Sequence, residues 1–288
     1  MTGFFVGVLL ILVGALLAVA FFTLFERKVL GLTQRRVGPN KVTIWGILQP
    51  LLDGVKLLTK EFIYPHFVSV WGFVSAPAIF FGLIIILWSI TNVLFFVDSQ
   101  NLFIFTLLSV LGGGIYTSLI TGVNSFSKFA LVGGTRSAAQ AISYEICLAF
   151  FLFIFLLVWF SLNISNMGVW AAPLIIFWFV LILSETNRAP FDFAEGEREL
   201  IRGFNVEFRS IGFVFLFLGE YGIILFIRFL TRFLFSSSHL PLTLIFRFLV
   251  VLVRSTLPRF RYDFLIGVFW IFFLPLRVVL LGFCCVFL

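Results

Sequence analysis

The chain has 288 residues, of which 61% are hydrophobic, 19% aromatic and only 11% charged, and its mean hydropathy is +1.17. Soluble globular chains are roughly 45–50% apolar and about 25% charged, so this composition excludes a soluble domain and points to an all-α, polytopic membrane protein. The net charge of +7 is distributed among loops and is not a nucleic-acid signal. The three cysteines, Cys147, Cys284 and Cys285, form neither a C-x-x-C pair nor a Cys/His ligand set, so no disulfide framework, zinc site or iron–sulfur site is expected. The first apolar run is too long for a cleavable signal peptide and lacks a basic start.

A helix of about 20 apolar residues crosses a hydrocarbon core of about 30 Å. Runs of this kind predict about eight transmembrane helices in a single membrane domain, near Gly3–Phe25, Val70–Thr91, Leu102–Val123, Ala138–Trp159, Val169–Leu183, Ile211–Phe229, Ser238–Val253 and Phe264–Leu288. The seventh carries Arg247 and the eighth Arg277, side chains expected to face protein or reach toward an interface. The loop after the first span carries Arg27, Lys28, Arg35, Arg36, Lys41, Lys56 and Lys60. Lys128 and Arg136 follow the third span, Arg188, Arg198, Arg202 and Arg209 the fifth, and Arg254, Arg259 and Arg261 the seventh. The alternate loops hold only Arg228 and Arg232. Positive charge stays on the non-translocated side, so the odd loops are predicted inside and both termini outside.

One helical segment does not span. Between residues 43 and 62, Ile44, Leu48, Leu51, Val55, Leu58 and Phe62 repeat at helical spacing, and Gln49, Asp53, Lys56 and Lys60 form the opposite stripe. This predicts an interfacial amphipathic helix. Pro50 either kinks it or marks its start. The helix is either a lipid anchor or the rim of an opening for something entering from the bilayer. No internal repeat is evident, which weakens a transporter built from inverted repeats. The run Gly112–Gly114 lies in a span and suggests close helix packing, and Gly133–Thr135 reads as a loop turn.

Ionisable groups inside spans are expensive and face a bundle interior or a wet cavity. Glu145 lies in the fourth span, Glu220 in the sixth beside Tyr221, and Glu26 at the inner end of the first. Such a group is either half of a structural ion pair or part of a proton relay, because a carboxyl removed from water exchanges its proton readily near neutral pH. Two intramembrane acids combined with an acidic loop favour the relay. The inner loop 185–209 holds six of the chain's 13 acids, Glu185, Asp192, Glu195, Glu197, Glu199 and Glu207. If part of it is helical, Asp192, Glu195 and Glu199 share a face, with Arg198 and Arg202 beside them. Packed carboxylates titrate as a coupled set. Such a charged run is ordinarily a solvated loop, but Phe191, Phe193, Leu200, Ile201, Phe204, Val206 and Phe208 interleave these acids. That apolar content predicts a loop folded back against protein. There is no G-x-G-x-x-G, Walker loop or metal-ligand spacing, so the chain is not expected to be a complete redox enzyme.

The stretches FFTLFERKVLGLTQRRVGPNKV, ILQPLLDGVKLLTKE, SKFALVGGTRSAAQAISYEI, SETNRAPFDFAEGERELIRGFNVEF, GEYGIILF and RSTLPRFRYDFL together resemble the subunit 1 family of NADH:ubiquinone oxidoreductase, respiratory complex I. The resemblance covers nearly the whole chain in order. ETNRAPFD followed by EGE and GFNVE is highly specific, as is LPRFRYD. It implies a membrane subunit beneath the peripheral arm that forms the quinone-chamber entrance and couples quinone reduction to proton translocation. It is not catalytic alone and belongs to an H+-translocating NADH:ubiquinone reductase. By resemblance, Arg27, Arg36 and Asp53 lie near the quinone entrance. The proton-coupling set is Glu145, Glu185, Asp192, Glu195, Glu197, Glu199, Glu207, Glu220 and Tyr221, with Arg188 as a charge partner of the acids. The resemblance also implies ubiquinone as substrate, no cofactor bound by this chain, and flavin and iron–sulfur clusters on partner subunits. The partners implied are other membrane subunits, the quinone-site subunits of the peripheral arm and lipid, with no nucleic acid. The setting implied is the mitochondrial inner membrane, which the heavy Phe usage also suggests; a bacterial inner membrane is the alternative.

Three positions depart from the family's pattern. Arg198 stands where a small polar residue is usual, Arg202 where a small residue is common, and Phe208 where Tyr is usual. Arg198 and Arg202 predict a more strongly ion-paired loop, with a carboxylate within about 6 Å of each. Two other readings remain open: the membrane anchor of a related energy-converting hydrogenase, which would bind no quinone, and a stand-alone proton or cation transporter, which would function alone.

Overall fold

In the computed structural model the described residues are 2–65, 68–96, 100–161, 167–185, 187–192, 203–205, 207–235 and 240–287. Among them the chain is α-helical throughout, with no strand, as expected where lipid offers the backbone no hydrogen-bond partner. The helices are α1 (Thr2–Thr33), α2 (Gln49–Leu58), α3 (Val70–Phe96), α4 (Gln100–Asn124), α5 (Lys128–Ser161), α6 (Met167–Glu185), α7 (Ser210–Phe235), α8 (Leu240–Thr256), α9 (Tyr262–Gly267) and α10 (Leu274–Phe287). A π-helical stretch, Val268–Phe273, makes α9 and α10 continuous. Each of the eight expected spans coincides with a helix. Six contain a stretch long and apolar enough to cross a membrane: Val6–Thr33, Val70–Thr91, Ile104–Asn124, Lys128–Leu157, Ser210–Arg232 and Tyr262–Phe283. Leu174–Glu185, in α6, is a shorter apolar stretch, and α8 has 17 residues.

The two longest helices outrun the hydrocarbon by the widest margin. At 1.5 Å per residue, the 32 residues of α1 and the 34 of α5 extend for about 48 and 51 Å. Helix α5 begins ten residues before the expected start of its span, which corrects one reading of the sequence. Gly133–Thr135 is not a loop turn but lies within α5, where Gly134 packs on Gly122 of α4. A Cβ on Gly134 would stand 3.2 Å from the Gly122 Cα, and one on Gly122 would stand 2.9 Å from the Ala130 carbonyl oxygen. Only hydrogen fits at that crossing. Gly112–Gly114 also supports close packing, since a Cβ on Gly113 would meet Leu83 of α3 at 3.0 Å.

The core centres on α5, which packs against α4, α6 and α10. Phe151, Leu152, Trp178, Leu181, Phe226 and Phe269 are among its most enclosed side chains. A second cluster joins α1 to α7 and α8 through Val19, Phe22, Tyr221, Leu225 and Val251. A third joins α3 to α7 through Phe73, Phe80, Ile84, Phe208 and Leu216. Outward-facing side chains such as Leu9, Leu10, Val13, Phe105, Phe272 and Val279 are exposed and apolar, as lipid contact demands. Arg277 faces protein: it is 1% exposed, donates to the Cys147 carbonyl of α5 and lies 5.4 Å from the Phe273 ring centre. The side chain of Arg247 lies outside the described residues.

The amphipathic segment forms a regular helix only over Gln49–Leu58, with Pro50 in its first turn. Pro50 therefore marks the start, where its missing N–H leaves no carbonyl unsatisfied. Upstream the chain turns sharply at Trp45 and Gly46, whose φ angles are 67° and 72°. None of the residues of α2 is buried, and the helix sits against α1 and α7.

Candidate functional site

Two clusters of buried polar groups meet on α7. Successive helical residues point about 100° apart, so Glu220 and Tyr221 face different neighbours.

Tyr221 faces α1. Its hydroxyl donates to Glu26 Oε2 at 2.8 Å, and its ring lies 5.9 Å from Phe22, one turn before Glu26 on α1. Arg254, near the end of α8, donates to Glu26 Oε1. Arg188, just past α6, approaches Glu26 Oε2 at 3.7 Å and covers the Tyr221 ring at 4.4 Å. Glu26 is 6% exposed and Tyr221 5%. One carboxylate thus takes a phenol and two guanidinium groups from three other parts of the chain. Charge-assisted bonds of this kind are the strong ones, and the low dielectric amplifies them. The cluster carries two cations to one acid.

Glu220 faces a cavity of about 70 Å³ beneath the inner loop, lined by Thr117, Ser118, Ser137, Tyr144, Glu185 and Asn187 among others. A space of that size has room for a few waters beside its polar lining groups. Glu220 accepts from Asn205 Nδ2 at 3.3 Å, which ties it to the end of the loop. Across the cavity Tyr144 and Glu185 line the same wall, and Glu145 is the next residue after Tyr144 on α5. Glu185 is 6% exposed, Tyr144 6%. One turn before Tyr144, the fully buried Gln140 donates to the carbonyls of Ser184 and Phe191 at 3.3 and 3.0 Å. It pins both ends of the α6 exit to α5. The carboxyl of Glu145 lies over Gly112, where a Cβ would stand 3.5 Å from Oε1.

The first part of the inner loop folds back as its apolar content predicts. Phe260 N donates to the Pro190 carbonyl at 3.1 Å, Phe191 lies 5.8 Å from the Phe260 ring, and Arg259 donates to Asp192 at 3.0 Å. The partner surface is the connection between α8 and α9. Glu207 is half-buried near the loop's end. Glu195, Glu197, Arg198, Glu199 and Arg202 lie outside the described residues, and so does the expected extra ion pairing there. Phe208 is buried against Phe73. The ion pair described for Arg188 is with Glu26.

Between α1 and α2, Arg27 pairs with Asp53 at 2.7 Å, and Gln49 donates to the other oxygen of that carboxylate at 2.9 Å. The pair joins α1 to α2 and is largely exposed. Arg36 is also exposed, in the turn between α1 and α2, and makes no contact with that pair. The described residues assemble no group of three His, Cys, Asp or Glu side chains that could hold a metal ion.

The acids stand out in the sequence, but Tyr144, Asn205, Arg254 and Arg259 beside them, and Gln140, which pins the α6 exit, do not. Tyr144 adjoins Glu145, and Arg254 and Arg259 lie in the LPRFRYD neighbourhood, so each stood within a motif already singled out. Their pairing across the fold had no local signal.

The NADH dehydrogenase family model matches residues 6–285. NADH-ubiquinone oxidoreductase chain 1 of Aedes aegypti is 42% identical, covering 95% of this chain and 92% of the relative. Those of Heterololigo bleekeri and Osphranter rufus are 42% and 41% identical, covering 91% and 96% of this chain and 90% and 94% of each relative. With its acid cavity and its Glu26 cluster built from the stretches that carry this likeness, the chain belongs to the NADH dehydrogenase family.

Proposed function

We propose that this chain is a multi-pass membrane subunit of a proton-pumping NADH:ubiquinone oxidoreductase, and that it couples quinone reduction to proton translocation. The observation that carries this reading is the cavity between α4, α5, α6 and α7, where the two acids Glu185 and Glu220 line one space. The names of the relatives support the enzyme. Their animal sources support the mitochondrial inner membrane, and the charge of the loops supports termini on its outer side. Ubiquinone is the substrate, and flavin and iron–sulfur clusters belong to partner subunits of the peripheral arm.

The chain's own residues act by charge. Quinone near the inner ends of α1 and α2 takes up protons as it is reduced. Arg27, Asp53 and the exposed Arg36 border its entrance, with α2 as the rim. The altered charge acts on the inner loop, Glu185 to Phe208, including Asp192, Glu195, Glu197, Glu199 and Glu207. Gln140 and Asn205 connect that loop to α5 and α7. The loop then biases the protonation of Glu185, Glu220 and Glu145, which pass the effect toward neighbouring membrane subunits. Arg188, Arg254 and Tyr221 hold the Glu26 carboxyl and keep α1, α7 and α8 in register.

Affinity purification through a tag on this chain tests the assignment. The expected result is co-purification of subunits carrying flavin and iron–sulfur clusters, with NADH:ubiquinone reductase activity blocked by rotenone-type inhibitors. Isolation of the chain alone with transport activity, or with partners that reduce no quinone, overturns it.

A further inference from the structure

An aromatic chain at the inner end of the bundle connects groups that charge alone does not join. Phe208, at the end of the inner loop, stacks on Phe73 in the first turn of α3, with ring centres 4.1 Å apart and planes 4° from parallel. Phe62 stands edge-on to Phe73 at 6.3 Å, and Tyr64 edge-on to Phe62 at 4.7 Å. Phe62 lies four residues beyond Leu58, the last residue of α2. Phe73 and Phe208 are 1% and 4% exposed. Phe208 and Phe62 both cover Gly212 of α7, where a Cβ would meet them at 3.1 and 3.6 Å.

Three residues before Phe208 is Asn205, the residue that reaches Glu220. The Phe208 N–H donates to the Asn205 carbonyl at 3.3 Å, and the Asn205 amide donates to Glu220 at 3.3 Å. Both bonds are near the long end of the useful range, so a small shift of the Gly203–Asn205 turn would break the contact with the acid. Stacked rings hold a narrow relative geometry. A stack therefore sets the position of this turn in a way that an aliphatic side chain of similar volume does not.

We propose that the Phe73–Phe208 stack positions Asn205 on Glu220 and, through Phe62, ties that contact to the interfacial helix α2. This inference rests on the function proposed above, in which Glu220 is a coupling acid. Phe208 is a positioning residue: it acts on Glu220 only through Asn205 and touches no substrate.

The test uses the assembled enzyme with Phe208→Leu, Phe73→Leu, Asn205→Ala and the double variant Phe208→Leu/Asn205→Ala. Each Leu variant is expected to lower kcat with ubiquinone about threefold to tenfold, the range set by loss of one aromatic contact. KM for quinone and NADH oxidation by ferricyanide should stay within about twofold. Phe208→Tyr keeps the stack and should retain most of the activity. The double variant should be no worse than Asn205→Ala alone, because the two residues act in series. Additive losses, or a raised KM with unchanged kcat, overturn the proposal. Failure of both Leu variants to assemble also overturns it, since a device that only positions Asn205 does not hold the complex together. If Asn205→Ala impairs turnover and Phe208→Leu does not, this inference alone fails. If Asn205→Ala and Glu220→Gln both leave quinone turnover intact, the proposed function of the cavity fails with it.

Discussion

Replacing Glu26 by Gln removes the single negative charge from a buried cluster that retains two guanidinium groups. The amide keeps the volume and one acceptor, so packing is little changed and the effect is electrostatic. Breaking a buried ion pair from one side costs about 3–5 kcal/mol. The side chains of Arg188 and Arg254 are 15% and 29% exposed, so water screens part of the residual repulsion and the lower end, about 3 kcal/mol, applies. That is about a hundredfold shift between docked and undocked arrangements of α1 against α7 and α8. Native gel electrophoresis after mild heating should show Glu26→Gln complexes dissociating well below the wild-type temperature, with NADH:ubiquinone turnover lost in parallel. Adding Arg254→Gln removes the guanidinium that donated to the Glu26 carboxylate and should restore much of the thermal resistance, with Arg188 still seated on the Tyr221 ring. Wild-type stability and turnover in Glu26→Gln, or further loss in the double variant, would refute this account of the cluster.

Four more outcomes follow from the geometry. Tyr221→Phe deletes one donor to Glu26 but keeps the ring under Arg188, so its effect should be milder, about 1.5 kcal/mol, read as a smaller drop in the same dissociation temperature. Gly122→Leu places a side chain against the α5 backbone, where a Cβ already meets the Ala130 carbonyl at 2.9 Å; overpacking of about 1–3 kcal/mol or more should appear as reduced assembled complex on native gels. Arg259→Ala removes a partly exposed partner of Asp192 and should change stability by no more than about 1 kcal/mol in the same thermal assay. Asp53→Ala breaks a largely exposed pair at the proposed entrance, so assembly should be unchanged while KM for a long-tailed ubiquinone rises more than KM for a short-tailed one.

The helices were legible because a membrane span needs only a sufficiently long apolar run. The boundaries were less so. The first turns of α5, including Gly134 and Arg136, are too polar to read as membrane, yet they are helical because Gly134 packs on Gly122. Helix α2 keeps helical spacing back to Ile44, but Trp45 and Gly46 break it. The acids were visible for the same reason as the spans: a carboxylate in an apolar run stands out. Their partners were not. Arg254 meets Glu26 across 228 positions and Arg259 meets Asp192 across 67, so only the tertiary fold brings them together. Tyr144 and Glu145 are neighbours in sequence, but it is Tyr144 that shares the cavity with Glu185. The stack of Phe208 on Phe73 was hidden for the opposite reason: among 43 phenylalanines, no single one is conspicuous.

The most direct test of the central claim is quinone-driven proton translocation by the complex carrying Glu185→Gln, reconstituted in sealed vesicles and read with a pH-sensitive dye. The substitution keeps the side chain's shape in the cavity beside Tyr144 and removes its exchangeable proton. The account predicts that NADH oxidation by ferricyanide is retained, while ubiquinone reduction and the pH gradient fall together. A wild-type gradient and wild-type ubiquinone turnover in that variant would contradict it.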